Sequence, residues 1–203
     1  MISFLSEENA INFAADIQYK FCNLPNKENL KATVSIGMNF GAPVTKSDDL
    51  FGDVISLARR LGYIAGENKI LISSSLAKAY NAFKLKSGIK NGFMKVLTLR
   101  YENFLNSFFE SLEKNWNKED FTIDNLVKQF SMSRAQLYRR ILDLTGHSPN
   151  TFIREVRLKN ALKMIEAQKG SISEIAYGSG FNNPSYFSRC FFKKYGIQPS
   201  EYA

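Results

Sequence analysis

The sequence predicts two unlike halves: an α+β domain over residues 1–99, then an all-α domain over residues 100–203. The second half is expected to hold two helix-turn-helix units joined by a long helix. Three observations predict this. Helical and strand-like patterns alternate up to about residue 99. A pattern of about thirty residues occurs twice in the last 83. A stretch of 19 residues without a helix breaker, 149–167, lies between the two copies.

Residues 9–21 carry Ala10, Phe13, Ala14, Ile17 and Phe21 at helical spacing. "KATVSIGMNFGAPV" alternates Ala32, Val34, Ile36 and Met38, a strand running into a glycine-containing turn. "DVISLARRLGYIAG" predicts a helix that buries Val54, Leu57, Ala58 and Leu61 and stops at Gly66. "NKILIS" and "GFMKVLTLR" predict two further strands. After these, Phe104, Leu105, Phe108, Phe109 and Leu112 make an apolar helical stripe, expected to close the core of the first helix-turn-helix.

The repeat aligns "FTIDNLVKQFSMSRAQLYRRILDLTGHSPNTF" with "SISEIAYGSGFNNPSYFSRCFFKKYGIQPSEY". At an offset of 49, Ile123, Leu126, Val127 and Met132 fall on Ile172, Ile175, Ala176 and Phe181. One inserted residue raises the offset to 50. Leu137, Arg139, Ile141, Gly146, Pro149 and Phe152 then fall on Phe187, Arg189, Phe191, Gly196, Pro199 and Tyr202. Each copy reads as two helices with a short break. In the first (about 122–146), Ser131-Met132 breaks the helix, Ser133 caps the next and Gly146 ends it. In the second (about 172–196), Gly180 makes the turn, Asn182 or Asn183 caps and Pro184 enters the first turn. The aromatics Phe181, Phe187, Phe191 and Tyr202 are expected in the core, because a small helix pair needs large side chains to fill it.

Function is expected on the exposed face of each second helix. The first copy offers Ser133, Arg134, Ala135, Gln136, Tyr138, Arg139 and Arg140, and the second Asn182, Asn183, Ser185, Ser188 and Arg189. Such side chains bond base edges and phosphates, and the short ones let a helix approach the bases. The intervening helix, about 149–167, would be roughly 28 Å long at 1.5 Å per residue. One turn of B-DNA is about 34 Å, so a connector of that length suits two recognition helices in successive major grooves.

Composition narrows the classes further. The net charge is +8. Residues 121–203 hold 12 basic and 6 acidic residues, so +6 of that charge lies there, as a polyanion partner would require. No apolar run is long enough to span a bilayer and no secretory signal is visible, so a cytoplasmic location is expected. Cys22 and Cys190 are expected to be reduced, buried thiols. His147 is the only histidine. One imidazole makes neither a ligand set nor a catalytic dyad, so no metal, cofactor or catalytic residue is expected.

"MSRAQLYRRILDLTGHSPNTFIREVRLKNALKMI" and "ISEIAYGSGFNNPSYFSRCFFKKYGIQPSEY" resemble the DNA-binding domain of AraC/XylS-type bacterial transcription regulators. Ser131 stands where that family usually has glycine, and "YGSGF" replaces bulkier residues before the second turn. "SIGMNFGAPVTKSDDLFGDVISLARRLGYIAGENKILISSSL" resembles the class III adenylate/guanylate cyclase domain, through Gly37, Gly41, Phe51, Gly52, Ala58, Arg60 and Leu61. This second resemblance implies an incomplete ferredoxin-like core, beginning after the strand and hairpin that carry the family's two metal-binding carboxylates. Ser56 stands at the transition-state asparagine position, and Arg60 is expected to be a structural or surface charge. The chain is therefore expected to be a shortened product of a longer frame, or to be completed by another chain.

Together these resemblances imply a sequence-specific transcription regulator and not an enzyme, with the cyclase-like remnant as a sensory or dimerisation module. Double-stranded promoter or operator DNA is the expected partner. RNA polymerase and a second copy bound through the N-terminal domain are further candidates, and a membrane is not. The alternatives are a nucleotide cyclase fused to a DNA-binding domain and a regulator that binds a nucleotide without turning it over.

Overall fold

The computed structural model describes residues 1–23, 33–41, 52–87 and 92–202. Ala32 and Phe51, named above, lie outside the described residues. Two compact units divide between Ser107 and Phe108. The first is α+β and the second is all-α, the classes the sequence predicts.

In the first unit, helix α1 (Glu7–Cys22) starts at Ser6, whose hydroxyl accepts from the Asn9 amide at 3.4 Å. Strands β1 (Ile36–Met38), β2 (Ile70–Ile72) and β3 (Met94–Val96) form one sheet in that order, parallel throughout. Helix α2 (Gly52–Ile64) joins β1 to β2. A 3₁₀ turn (Ser74–Leu76) and helix α3 (Ala77–Ser87) join β2 to β3. The sequence reading did not identify α3. Its two buried residues, Tyr80 and Phe83, are too few to show a period in an otherwise polar stretch.

Gly37 lets α2 cross β1 closely: a Cβ there would fall 2.1 Å from both the Ala58 carbonyl oxygen and the Gly62 nitrogen. Among the described residues, one buried cluster of this unit is Ile11, Ala14, Ala15, Met38, Ile70, Ile72, Leu76, Tyr80, Phe83 and Met94.

Three expectations change here. The buried face of α1 is Ile11, Ala14, Ala15 and Gln18, one residue round from the predicted stripe. Phe13 and Phe21 are exposed, and Phe13 meets Phe4 at 5.1 Å. The small Ala14 and Ala15 allow closer packing than Phe13 would. In α2 the buried residues are Leu57, Leu61 and Ile64, while Val54 and Ala58 are only half-buried. The segment after β3 leaves the strand at once, because Leu99 already begins helix α4 (Leu99–Asn115).

The second unit contains α5 (Ile123–Phe130), α6 (Arg134–Thr145), α7 (Pro149–Glu166), α8 (Ile172–Gly178), α9 (Pro184–Tyr195) and the short α10 (Pro199–Tyr202). The sequence repeat is thus a structural one. The single inserted residue falls in the turn: α8 starts 49 residues after α5, and α9 starts 50 after α6. Leu126, Leu137 and Ile141 are buried in the first pair. Phe108 and Phe152 are also buried, with ring centroids 5.6 Å apart. The second pair shares a core with α7: Leu158, Ala161, Ile165, Ile175, Ala176, Phe181, Phe187 and Phe191.

Tyr202 departs from the core assignment. It is 39% exposed, packing edge-on against Phe191 at 6.2 Å with its hydroxyl 3.4 Å from Glu166. Cys22 also departs: it is exposed, whereas Cys190 is half-buried, and both thiols are free. Among the described residues no helix is long and apolar enough to cross a membrane.

Candidate nucleic-acid interface

Helix α6 is set by its caps. Ser133 Oγ accepts from the Gln136 amide at 3.2 Å, and Gln136 Oε1 accepts from the Ser133 amide at 3.1 Å. This reciprocal pair satisfies two amides that the first turn of a helix leaves open. Gly146, at φ 71°, ends the helix, and its amide donates to the Leu142 carbonyl. Before α6, Ser131 sits in the left-handed region at φ 49°, ψ 42°. This is the position where the AraC/XylS resemblance led one to expect glycine, and the backbone shows why glycine suits it.

Helix α9 is built the same way with different residues. Asn183, not Asn182, is its cap: Oδ1 accepts from the Tyr186 amide at 2.9 Å. Pro184 occupies the first turn, where it forfeits no helical hydrogen bond. Gly196 ends α9 at φ 79°, fifty residues after Gly146.

These caps divide the predicted contact residues. Ser133, Gln136 and Asn183 already spend an acceptor atom on their own helix. The Gln136 and Asn183 amide nitrogens remain as donors. Ser188 is half-buried, and its hydroxyl donates to the Pro184 carbonyl at 3.0 Å. Arg134 is ion-paired with Asp124, both well exposed, an arrangement worth little on a solvated surface. Arg140 is half-buried and donates to Met132 Sδ at 3.8 Å.

Ala135, Tyr138, Arg139, Asn182, Ser185 and Arg189 are exposed. Arg139 projects from α6 opposite the buried Leu137 and Ile141. Arg189 does the same on α9 opposite Phe187 and Phe191. The Arg189 guanidinium lies over the Tyr186 ring, 5.8 Å from its centroid. Asn182 borders an open recess with Lys118, Glu119 and Asp120.

Sequence reasoning missed Tyr186 and Tyr177, 40% and 56% exposed beside the predicted face. Both lie off the buried stripes of their helices, and an exposed aromatic has no spacing signal of its own. It also missed Arg157, whose hydrogen bonds join segments about forty residues apart.

In the first unit, Arg60 Nη1 donates to Asn106 Oδ1 at 2.8 Å, an intramolecular use of the side chain. Glu102, 5% exposed, accepts from the Ser74 hydroxyl at 2.9 Å and from the Ser74 amide. Among the described residues no group of three or more His, Cys, Asp or Glu is placed to hold a metal ion.

Comparison with known proteins bears on the second unit. Residues 126–203 match the family model described as a helix-turn-helix domain. Histidine kinase P4 of Formosa agariphila is 40% identical over 101 residues, covering 50% of this chain and 7% of that protein. The HTH-type transcriptional activator RhaS of Mannheimia succiniciproducens is 38% identical over 90 residues, covering 44% of this chain and 33% of that one. The HTH-type transcriptional regulator MtrA of Neisseria gonorrhoeae is 29% identical over 116 residues, covering 57% and 36%. The chain thus spans about a third or less of the length of these relatives. Its C-terminal region carries a helix-turn-helix domain.

Proposed function

We propose that this chain is a sequence-specific transcription regulator that reads duplex DNA with α6 and α9 and has no catalytic role. One observation carries the reading: two helices, equivalent under the repeat, each present an exposed arginine opposite a buried core stripe. Arg139 and Arg189 are the readers, because arginine bonds guanine O6 and N7 bidentately. Tyr138, Asn182 and Ser185, with the free amide ends of Gln136 and Asn183, supply further contacts to bases and phosphates. Arg134 and Arg140 contribute backbone contacts after releasing Asp124 and Met132. Ser133 and Ser188 hold their helices; Ser133 keeps its hydroxyl hydrogen to donate to a phosphate, and Ser188, whose hydrogen goes to Pro184, keeps lone pairs that accept from base amino groups. Residues 100–203 form the DNA-binding part, and RNA polymerase is the partner at a promoter.

The first unit is read as a cyclase-like remnant that serves as a sensory or dimerisation module. The close Gly37–α2 crossing and the Gly41, Gly52, Ala58, Arg60 and Leu61 positions support this. Engagement of Arg60 by Asn106 supports a structural role for that arginine.

The test is repeated selection of a binding duplex from a randomised pool by the full chain, followed by footprinting. The expected result is two protected half-sites about one helical turn apart on one face. Failure to enrich any sequence would refute the reading. A cyclase assay with Mg²⁺ or Mn²⁺ is expected to give no product.

A further inference from the structure

Arg157 leaves the middle of α7 and belongs to neither helix pair's core. Its Nε donates to the Trp116 carbonyl at 2.8 Å, and its Nη2 to the carbonyls of Lys118 at 2.6 Å and Phe121 at 3.3 Å. All three acceptors lie in the segment that leads into α5, and so into the first helix-turn-helix. A planar guanidinium presents donors in a fixed fork, so it can hold several carbonyls in set directions. An ammonium would hold them only as a point charge.

The turn of the second helix-turn-helix lies against the same group. A Cβ on Gly180 would stand 2.9 Å from Arg157 Nε, 3.1 Å from its Cζ and 3.0 Å from the Trp116 oxygen. Three segments therefore meet at one cation: the entry to the first pair, the connecting helix and the turn between α8 and α9. Burial lowers the guanidinium's pKa from its ordinary value, and Glu119 works in the other direction.

Each pair has its own buried residues, Leu126, Leu137 and Ile141 in one and Ile175, Phe187 and Phe191 in the other. Arg157 belongs to neither set. What it supplies is the relation between them.

We infer that Arg157 is a positioning residue that holds α6 and α9 in one fixed relation and so sets the half-site spacing the domain accepts. This rests on the two-reader proposal above. Linking two binding modules multiplies affinity only when their geometry matches the spacing of the sites.

The experiment uses the full chain, Arg157→Ala and Arg157→Lys, with the duplex selected by the unmodified chain as probe. Companion duplexes carry two base pairs inserted between the halves, or one half scrambled. The unmodified chain is expected to lose about tenfold or more in affinity on the insertion. Arg157→Ala should bind single-half duplexes normally, lose about tenfold on the selected duplex and discriminate spacing weakly. Arg157→Lys should fall between. Unchanged spacing preference in Arg157→Ala overturns the inference. So does an equal loss on one-half and two-half duplexes, which marks a role in folding alone. If the alanine variant does not fold, unchanged spacing preference in the lysine variant overturns it. A one-half footprint from the unmodified chain refutes the two-reader proposal itself, and the inference with it.

Discussion

Gly180→Ala tests the packed junction directly, because the chain carries its own controls. Gly146, Gly180 and Gly196 have nearly the same backbone, at φ 71°, 78° and 79°. An alanine at any of them meets the same left-handed penalty, about 1–2 kcal/mol. Each also gains slightly from a less free unfolded chain, about 0.4–1 kcal/mol. What differs is the surroundings. A Cβ at Gly146 or Gly196 meets nothing within 4 Å, whereas at Gly180 it meets Arg157 and the Trp116 carbonyl at 2.9–3.1 Å. The guanidinium can shift, but the backbone carbonyl cannot without moving the segment into α5. Overpacking of this kind costs about 1–3 kcal/mol. The control variants should therefore each lose roughly 1 kcal/mol, and Gly180→Ala roughly 2–4. Urea unfolding of the full chain, followed by fluorescence of Trp116, reports this junction, since the chain has one tryptophan. A Gly180→Ala loss within about 0.5 kcal/mol of the controls would refute the crowded junction.

Four further outcomes are expected. Arg139→Ala and Arg189→Ala should each weaken specific DNA binding by at least ~1 kcal/mol and remove protection from different half-sites. The Arg189 effect should be smaller by about 0.5–1 kcal/mol, because that guanidinium must leave the Tyr186 ring to reach DNA; loss of the same half-site by both variants would contradict the two-reader model. Affinity should fall with salt, with a log–log slope of about −5 if six phosphates are neutralised, and titration at several salt concentrations measures it. Ser131→Gly should raise the free energy of unfolding by up to about 1 kcal/mol, read as a higher urea midpoint at unchanged slope, since Ser131 sits at φ 49°. Glu174 accepts from the Ser171 amide and hydroxyl, and these hydrogen bonds, the backbone one foremost, hold its pKa below the ordinary glutamate value. The cap on α8 therefore contributes stability above the unfolded-state pKa and loses it as pH falls through the lower folded value. An NMR titration of Glu174 with its midpoint at or above the ordinary value would show that the cap does not form.

Much of the second unit is legible in the sequence because its determinants are local. The spacing of Leu137 and Ile141, repeated by Phe187 and Phe191, selects the buried stripe of each second helix. Ser133, Pro184 and the two terminal glycines mark where those helices start and stop. The first unit was less legible. Helix α1 has two apolar stripes one residue apart, and periodicity alone cannot rank them. The outcome depends on what lies opposite, and there Ala14 and Ala15 pack more closely than Phe13 can.

The candidate interface shows the same division. Which residue types line α6 and α9 follows from sequence, and so does the placing of Arg139 and Arg189 away from the core. That Asn183 rather than Asn182 makes the cap, and that Arg189 lies on Tyr186, was decided only by the positions of neighbouring atoms. Arg157 is the clearest case. By sequence it is one basic residue on an amphipathic helix. Its partners are backbone carbonyls 36 to 41 residues away, and backbone carbonyls carry no residue-specific mark. Sequence by itself determined the repeated helix pairs, the Ser133 cap, the glycine stops and the outward arginines, because helical period and capping act within a few residues. The tertiary structure alone decided which stripe is buried and which cation joins the two pairs, because those depend on groups that only folding brings within hydrogen-bond reach.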